Sequence, residues 1–262
     1  MKKSLTVALC LAILFSLTAC SNKEIPSYEG EKLSYTEMLK GDGTIDKRWY
    51  YKYYPDGEIS TSMRCIEDGT CVQRNEYTYT PDNLKETETI YLLGKKTSVT
   101  EYSYTEDGKL SAETNYLPTE ITETLYFYNT DGEVDYIEKK NANGDLISIK
   151  RNTYSDGKLT EEVFSDAYGN QTGSIRYTYS GESIKTVEYS GSAVTDYTKE
   201  ERTYNGENLV KTLFYNAEGA LLYTDTAEYD GDRCMHRMRV DGNNSIVYTW
   251  DAYYDSFLTL IG

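Results

Sequence analysis

One tyrosine returns about every 25 residues along most of the chain, at Tyr53, Tyr79, Tyr104, Tyr128, Tyr154, Tyr179, Tyr204, Tyr229 and Tyr254. A fixed period of this size marks a repeat architecture, in which one small unit cannot bury its apolar face alone and neighbours cover it. A second tyrosine stands two residues earlier in several units, at Tyr51, Tyr77, Tyr102, Tyr126 and Tyr177. A step of two keeps both rings on one face of a strand.

Each column tyrosine sits just before a turn, as in "YYPDGEI", "YTEDGKL", "YNTDGEV" and "YSDGKL". A three-residue loop such as Pro55-Asp56-Gly57 fits a type I turn closed by a glycine in the left-handed region. That frame sets Tyr53 opposite Ile59, Tyr104 opposite Leu110 and Tyr128 opposite Val134. From Tyr154 the loop shortens to two residues, pairing Tyr154 with Leu159, Tyr179 with Ile184, Tyr204 with Leu209 and Tyr229 with Cys234. Tyr79 departs from the rule because Leu84 lies one place out of frame, and Tyr254 opens a ninth unit that the chain does not complete. Weaker turn signals between these, such as "IEDGT" and "NANGD", divide each unit into two strands. No 3.6-residue apolar pattern follows the leader, apart from one helical turn suggested at "SYTEMLKG" (34–41).

The fold class expected is therefore all-β: tandem hairpins of about 25 residues forming an elongated, twisted antiparallel sheet or spiral. Left open, about 17 strands spaced roughly 4.8 Å apart would run on the order of 80 Å. Leu, Ile, Val and Phe are scarce while tyrosines number 28, a composition suited to a thin pleated sheet rather than to a thick core.

The first residues, MKKSLTVALCLAILFSLTAC, give two lysines and then a short apolar run. The run is too short for a comfortable bilayer span and reads as a secretory leader. Its end, Leu17-Thr18-Ala19-Cys20, resembles the bacterial lipobox. That resemblance implies lipidation of Cys20, a leader over 1–19 and a membrane held through the lipid. The reading then assigns 20–47 to a tether and 48–262 to the repeat domain. The location implied is the bacterial cell envelope: outer membrane or cell surface in a diderm, the outer face of the cell membrane in a monoderm. A formal charge of −16 argues against nucleic acid as a partner.

The pattern Tyr-x-Tyr-x-x-Asp-Gly-x-Leu, clearest in "YSYTEDGKL" (102–110) and "YFYNTDGEV" (126–134), resembles the YD or RHS repeats of bacterial surface proteins. That resemblance implies a β-sheet wound into a spiral. A narrower stretch, "RWYYKYYPDGE" (48–58), is similar to the aromatic repeats with which some surface proteins hold choline or glucans.

Catalytic signatures are not found: His236 is the one histidine, and neither a zinc site nor a serine triad is built on one histidine alone. The turn aspartates Asp56, Asp68, Asp107, Asp131 and Asp156 read as turn chemistry, and "DGNNS" (241–245) fails as a calcium loop because Ile246 and Ala252 stand at required positions. Acidic pairs such as Glu161–Glu162 and Glu200–Glu201 read as solvated strand faces. Neither a cofactor nor a metal is expected. Cys65 and Cys71 bracket a turn and are expected opposite each other, close enough for a disulfide in an oxidising envelope. Cys234 is expected as a small buried hydrophobe. The function expected is a non-enzymatic surface module binding a protein or glycan, with Phe127, Tyr168 and Tyr197 as candidates for an exposed aromatic patch. A structural spacer is the alternative, and an envelope hydrolase ranks third.

Overall fold

The computed structural model describes residues 32–255. Eighteen antiparallel strands follow one another in chain order, from β1 (Lys32–Lys40) and β2 (Ile45–Tyr53) to β18 (Ile246–Asp255). Each strand pairs with its neighbour in sequence, and β1 also pairs with β18 through Leu33↔Tyr254, Met38↔Trp250 and Lys40↔Tyr248. The sheet closes on itself. It is an up-and-down barrel, not the elongated open sheet or RHS-like spiral expected from the repeat.

The turn chemistry sets the register as expected. Tyr53 faces Ile59, Tyr104 faces Leu110, Tyr128 faces Val134, Tyr154 faces Leu159, Tyr179 faces Ile184, Tyr204 faces Leu209 and Tyr229 faces Cys234. Tyr79 pairs with Lys85, and Asn83 takes the left-handed position (φ 58°) that Gly57, Gly108 and Gly132 hold in the loops after Tyr53, Tyr104 and Tyr128. The curvature that closes the ring was not readable from the turns. Residues 32–47, expected within the tether, instead supply β1 and the start of β2, and residues 34–40 of "SYTEMLKG" are strand rather than a helical turn. Leu33 faces Tyr254, so β1 provides the missing second half of the ninth unit.

The column tyrosines and the tyrosines two residues before them point inward. Along Arg176–Ser180, Arg176, Thr178 and Ser180 are exposed while Tyr177 and Tyr179 are shielded. Tyr126, Ile137, Ile175, Val187 and Phe214 are buried on that same inner face. Eighteen strands about 4.8 Å apart would form a ring roughly 27 Å across before tilt widens it, enough for an aqueous interior.

At one rim the units lock by a repeated contact. Seven of the nine column tyrosines reach across the preceding unit and donate their hydroxyls to a backbone carbonyl at the start of the strand that leaves that unit's turn. Tyr53 donates to Leu33, Tyr79 to Ile59, Tyr104 to Lys85, Tyr128 to Leu110, Tyr154 to Val134, Tyr179 to Leu159 and Tyr229 to Leu209, at 2.7–3.1 Å. The acceptor in each case is the backbone of the residue that faces the previous tyrosine. The column is therefore a chain of unit-to-unit hydrogen bonds running round the rim.

Candidate functional site

The barrel offers two surfaces, an inner wall and an outer wall. Below the rim tyrosines the inner wall carries a second tier, in which Tyr102 donates to Glu88, Tyr126 to Glu113, Tyr177 to Glu162 and Tyr189 to Glu200. Lys150 pairs with Glu162, and Arg202 grips Glu200 through two nitrogens at 2.9 and 2.7 Å. Glu162 and Glu200 are buried, while Glu161 and Glu201 belong to outward pairs with Arg176 and Lys199. The two acidic pairs are thus not solvated faces: strand alternation splits each of them between the walls. Burial, reinforced by the neighbouring carboxylates, holds the hydroxyls of Tyr102, Tyr126, Tyr177 and Tyr189 well above the ordinary tyrosine value. Burial, then Asp225, pushes Tyr248 up to about 12.

Farther round the inner wall, Arg239 binds Asp225 at 2.6 and 2.7 Å and lies over the rings of Phe214, Tyr223 and Tyr248. Tyr197 packs against Phe214 and Tyr189, with ring centroids 4.7 and 5.5 Å away. It belongs to this inner cluster and not to an exposed patch. These inner side chains are occupied with one another, which makes the wall a stabilising lining.

The outer wall alternates threonine and charge. Arg48 pairs with Glu37, Lys140 with Glu138 and Arg74 with Glu76; Arg151 and Arg176 stand near the middles of their strands. A lipid-facing arginine at mid-bilayer costs about 2–4 kcal/mol, so this wall is suited to water. Two aromatic platforms interrupt the charge. Tyr35 stacks on Tyr253 at 4.4 Å with Tyr50 alongside at 5.8 Å. Phe127 stacks on Tyr136 at 4.3 Å, and Arg151 covers the Tyr136 ring. Phe127 is therefore outward, as expected. Tyr168 is 92% exposed at a turn.

Among the remaining sequence candidates, Cys65 and Cys71 face each other and are bonded. Cys234 is buried opposite Tyr229. His236 faces outward, its Nδ1 2.6 Å from Asp251 Oδ1. Asp56 and Asp68 accept hydrogen bonds from backbone amides two residues on, which is turn geometry. Cys20 and the leader lie outside the described residues. Three features escaped the sequence reading: the tyrosine-to-carbonyl locks, the buried tyrosine–glutamate tier and the Tyr35–Tyr50–Tyr253 platform. The first depends on backbone acceptors, which carry no letter in the sequence. The third is assembled only when the first and last strands meet.

No protein family model matches the chain. Comparison with curated proteins gives no match. Among solved structures, a porin-like protein from Bacteroides uniformis ATCC 8492 is similar over 85% of this chain and 98% of its own, with a TM-score of 0.48 and 9% identity. A porin-like protein from Bacteroides vulgatus ATCC 8482 covers 86% and 99%, with a TM-score of 0.41 and 12% identity. The strand pairing itself, with β1 joined to β18, excludes the spiral that the Tyr-Asp-Gly pattern implied.

Proposed function

We propose that the chain is a lipid-anchored, non-enzymatic binding barrel of the bacterial cell envelope, held beside the membrane through Cys20 and presenting its outer wall to a protein or glycan. The observation that carries the binding role is the pair of outward aromatic platforms. The seven rim tyrosines and the four second-tier tyrosines named above spend their hydroxyls on the barrel's own carbonyls and carboxylates. Tyr35, Tyr50, Tyr253, Phe127 and Tyr136 instead stand on the water-facing side, where flat rings give contact area at low entropic cost. The charged pairs between the platforms support a barrel that stands in water and depends on an anchor.

Cell fractionation of the full chain tests the anchor. The native chain is expected with the membranes, and Cys20→Ala in the soluble fraction. If Cys20→Ala remains in the membranes like an integral barrel, the anchored reading fails. A glycan array and a surface-protein overlay test the platforms: Tyr35→Ala with Tyr253→Ala is expected to lose whatever binding the native chain shows. Unchanged binding would remove the platform from the account.

A further inference from the structure

At the tyrosine rim, the residue just before each facing aliphatic reaches toward the next unit's turn. In four units that residue is a cation lying over the next unit's tyrosine. Lys32 covers Tyr53 at 5.0 Å, Lys109 covers Tyr128 at 5.1 Å, Lys158 covers Tyr179 at 5.7 Å and Arg233 covers Tyr254 at 5.1 Å. The Lys158 ammonium also donates to the carbonyl of Gly181 in that turn at 2.7 Å. Elsewhere Leu84 lies against Gly108, and Asn208 donates to the Gly231 carbonyl at 2.9 Å. In four of the nine junctions the chain thus lays its own cation over the tyrosine, so the slot accepts an ammonium or guanidinium.

Two units place glutamate there. At Glu58 the vacancy over Tyr79 is filled by the Tyr54 ring, edge-on at 6.2 Å. At Glu133 nothing comparable fills it. Its Oε2 accepts from Asn129 at 3.1 Å, its Oε1 points toward Gly157, and no described cation lies over the Tyr154 ring. A cleft of about 600 Å³ opens at this point, lined by Asp131, Glu133, Asp135, Asp156, Asn152 and Tyr154. Among the described residues none of these four carboxylates has an ion-pair partner. Asn152 is only 8% exposed, and its amide oxygen has no hydrogen-bond partner. Only a donor could satisfy that oxygen.

We propose that the junction at Tyr154 binds the ammonium group of a small polyamine, which takes the place that Lys109 and Lys158 occupy in their own units. A face of tyrosine and a set of unpaired carboxylates together suit an organic cation. Among the described residues, no three acidic, histidine or cysteine groups stand close enough to chelate a metal, which sets an organic cation ahead of a metal ion.

Calorimetric titration of the full chain with spermidine, together with its melting temperature, tests this. The native chain is expected to bind and to melt higher with spermidine. Glu133→Lys supplies the missing ammonium from within. It is expected to melt higher without ligand and to bind spermidine roughly tenfold more weakly or not at all. Glu218→Lys, on an exposed turn elsewhere, makes the same change in net charge and is expected to bind like the native chain. If Glu133→Lys neither stabilises the barrel nor weakens binding, the slot is refuted. Equal weakening by Glu218→Lys would reduce the effect to diffuse charge attraction and overturn the proposal.

Discussion

Replacing Tyr128 by phenylalanine would separate the two jobs of a rim tyrosine. The ring would still pack against Val134 and lie beneath Lys109, but the hydroxyl bond to the Leu110 carbonyl would be gone. The expected loss is about 1 kcal/mol of unfolding free energy, the usual net value of one intramolecular hydrogen bond. Ser103→Ala, on the outward side of a strand two places away and exposed, is expected to change stability by less than about 0.5 kcal/mol. Urea unfolding of the two variants beside the native chain measures both. Equal losses would mean that the hydroxyl contributes little beyond the ring. Residue roles of this kind were half legible in the sequence: spacing gave each tyrosine its face and its partner. The acceptor of each hydroxyl was hidden because every unit offers the same backbone carbonyl whatever its side chain, from Ile59 to Lys85.

Among the elements, hairpins were the most legible because turn geometry fixes register one pair at a time. Asp156 and Gly157 both take positive φ (53° and 73°) in the two-residue loop that sets Tyr154 opposite Leu159. The hairpin of β12 (Gln171–Ser180) and β13 (Ser183–Gly191) ends differently. There Gly191 has φ +56°, and a Cβ on it would meet the Thr172 carbonyl oxygen at 2.1 Å. Gly191→Ala is expected to cost on the order of 2–3 kcal/mol, by strain and by pushing the strands apart at that end. Gly219→Ala, with φ +79° but open space round its Cβ, is expected to cost only about 1 kcal/mol from its backbone conformation. Thermal melts of both variants decide it, and equal shifts would show that the close approach at Gly191 relaxes freely.

For the whole molecule, closure is what the repeat alone did not disclose. Its trace was present: "KLS" opens both the strand that follows Gly108 and the strand at Lys32. The first thus supplies the missing turn-exit half of the last unit. The signal was faint because no tyrosine-turn precedes Lys32 in sequence; its tyrosine, Tyr254, comes from the other end of the chain. A ring lined by raised-pKa tyrosines also has a pH signature. Burial lifts the hydroxyls of Tyr51, Tyr77, Tyr104, Tyr128, Tyr154 and Tyr179 above their ordinary value of 10.0. The folded state holds these protons more tightly than the unfolded chain does. Their contribution is therefore fully present below about pH 10 and is lost as pH rises past that value toward the folded pKa values. Melting temperature should stay level from neutral pH to about 10 and then fall, with most tyrosinate absorbance appearing together with unfolding. Tyrosinate absorbance developing while the barrel stays folded would contradict this.

The split ninth unit also orders events in time. Seventeen of the eighteen strand pairings join strands adjacent in sequence and can zip locally. The last joins β1 to β18, where the Tyr253 hydroxyl meets Glu37 across 216 positions. Because loop-closure entropy grows only logarithmically with length, this late contact is affordable at equilibrium, but it is the slow one to find. A chain emerging N-terminus first carries β1 as an unpaired edge until β18 arrives, and such an edge is open to other chains in the meantime. The strand made first must wait for the strand made last.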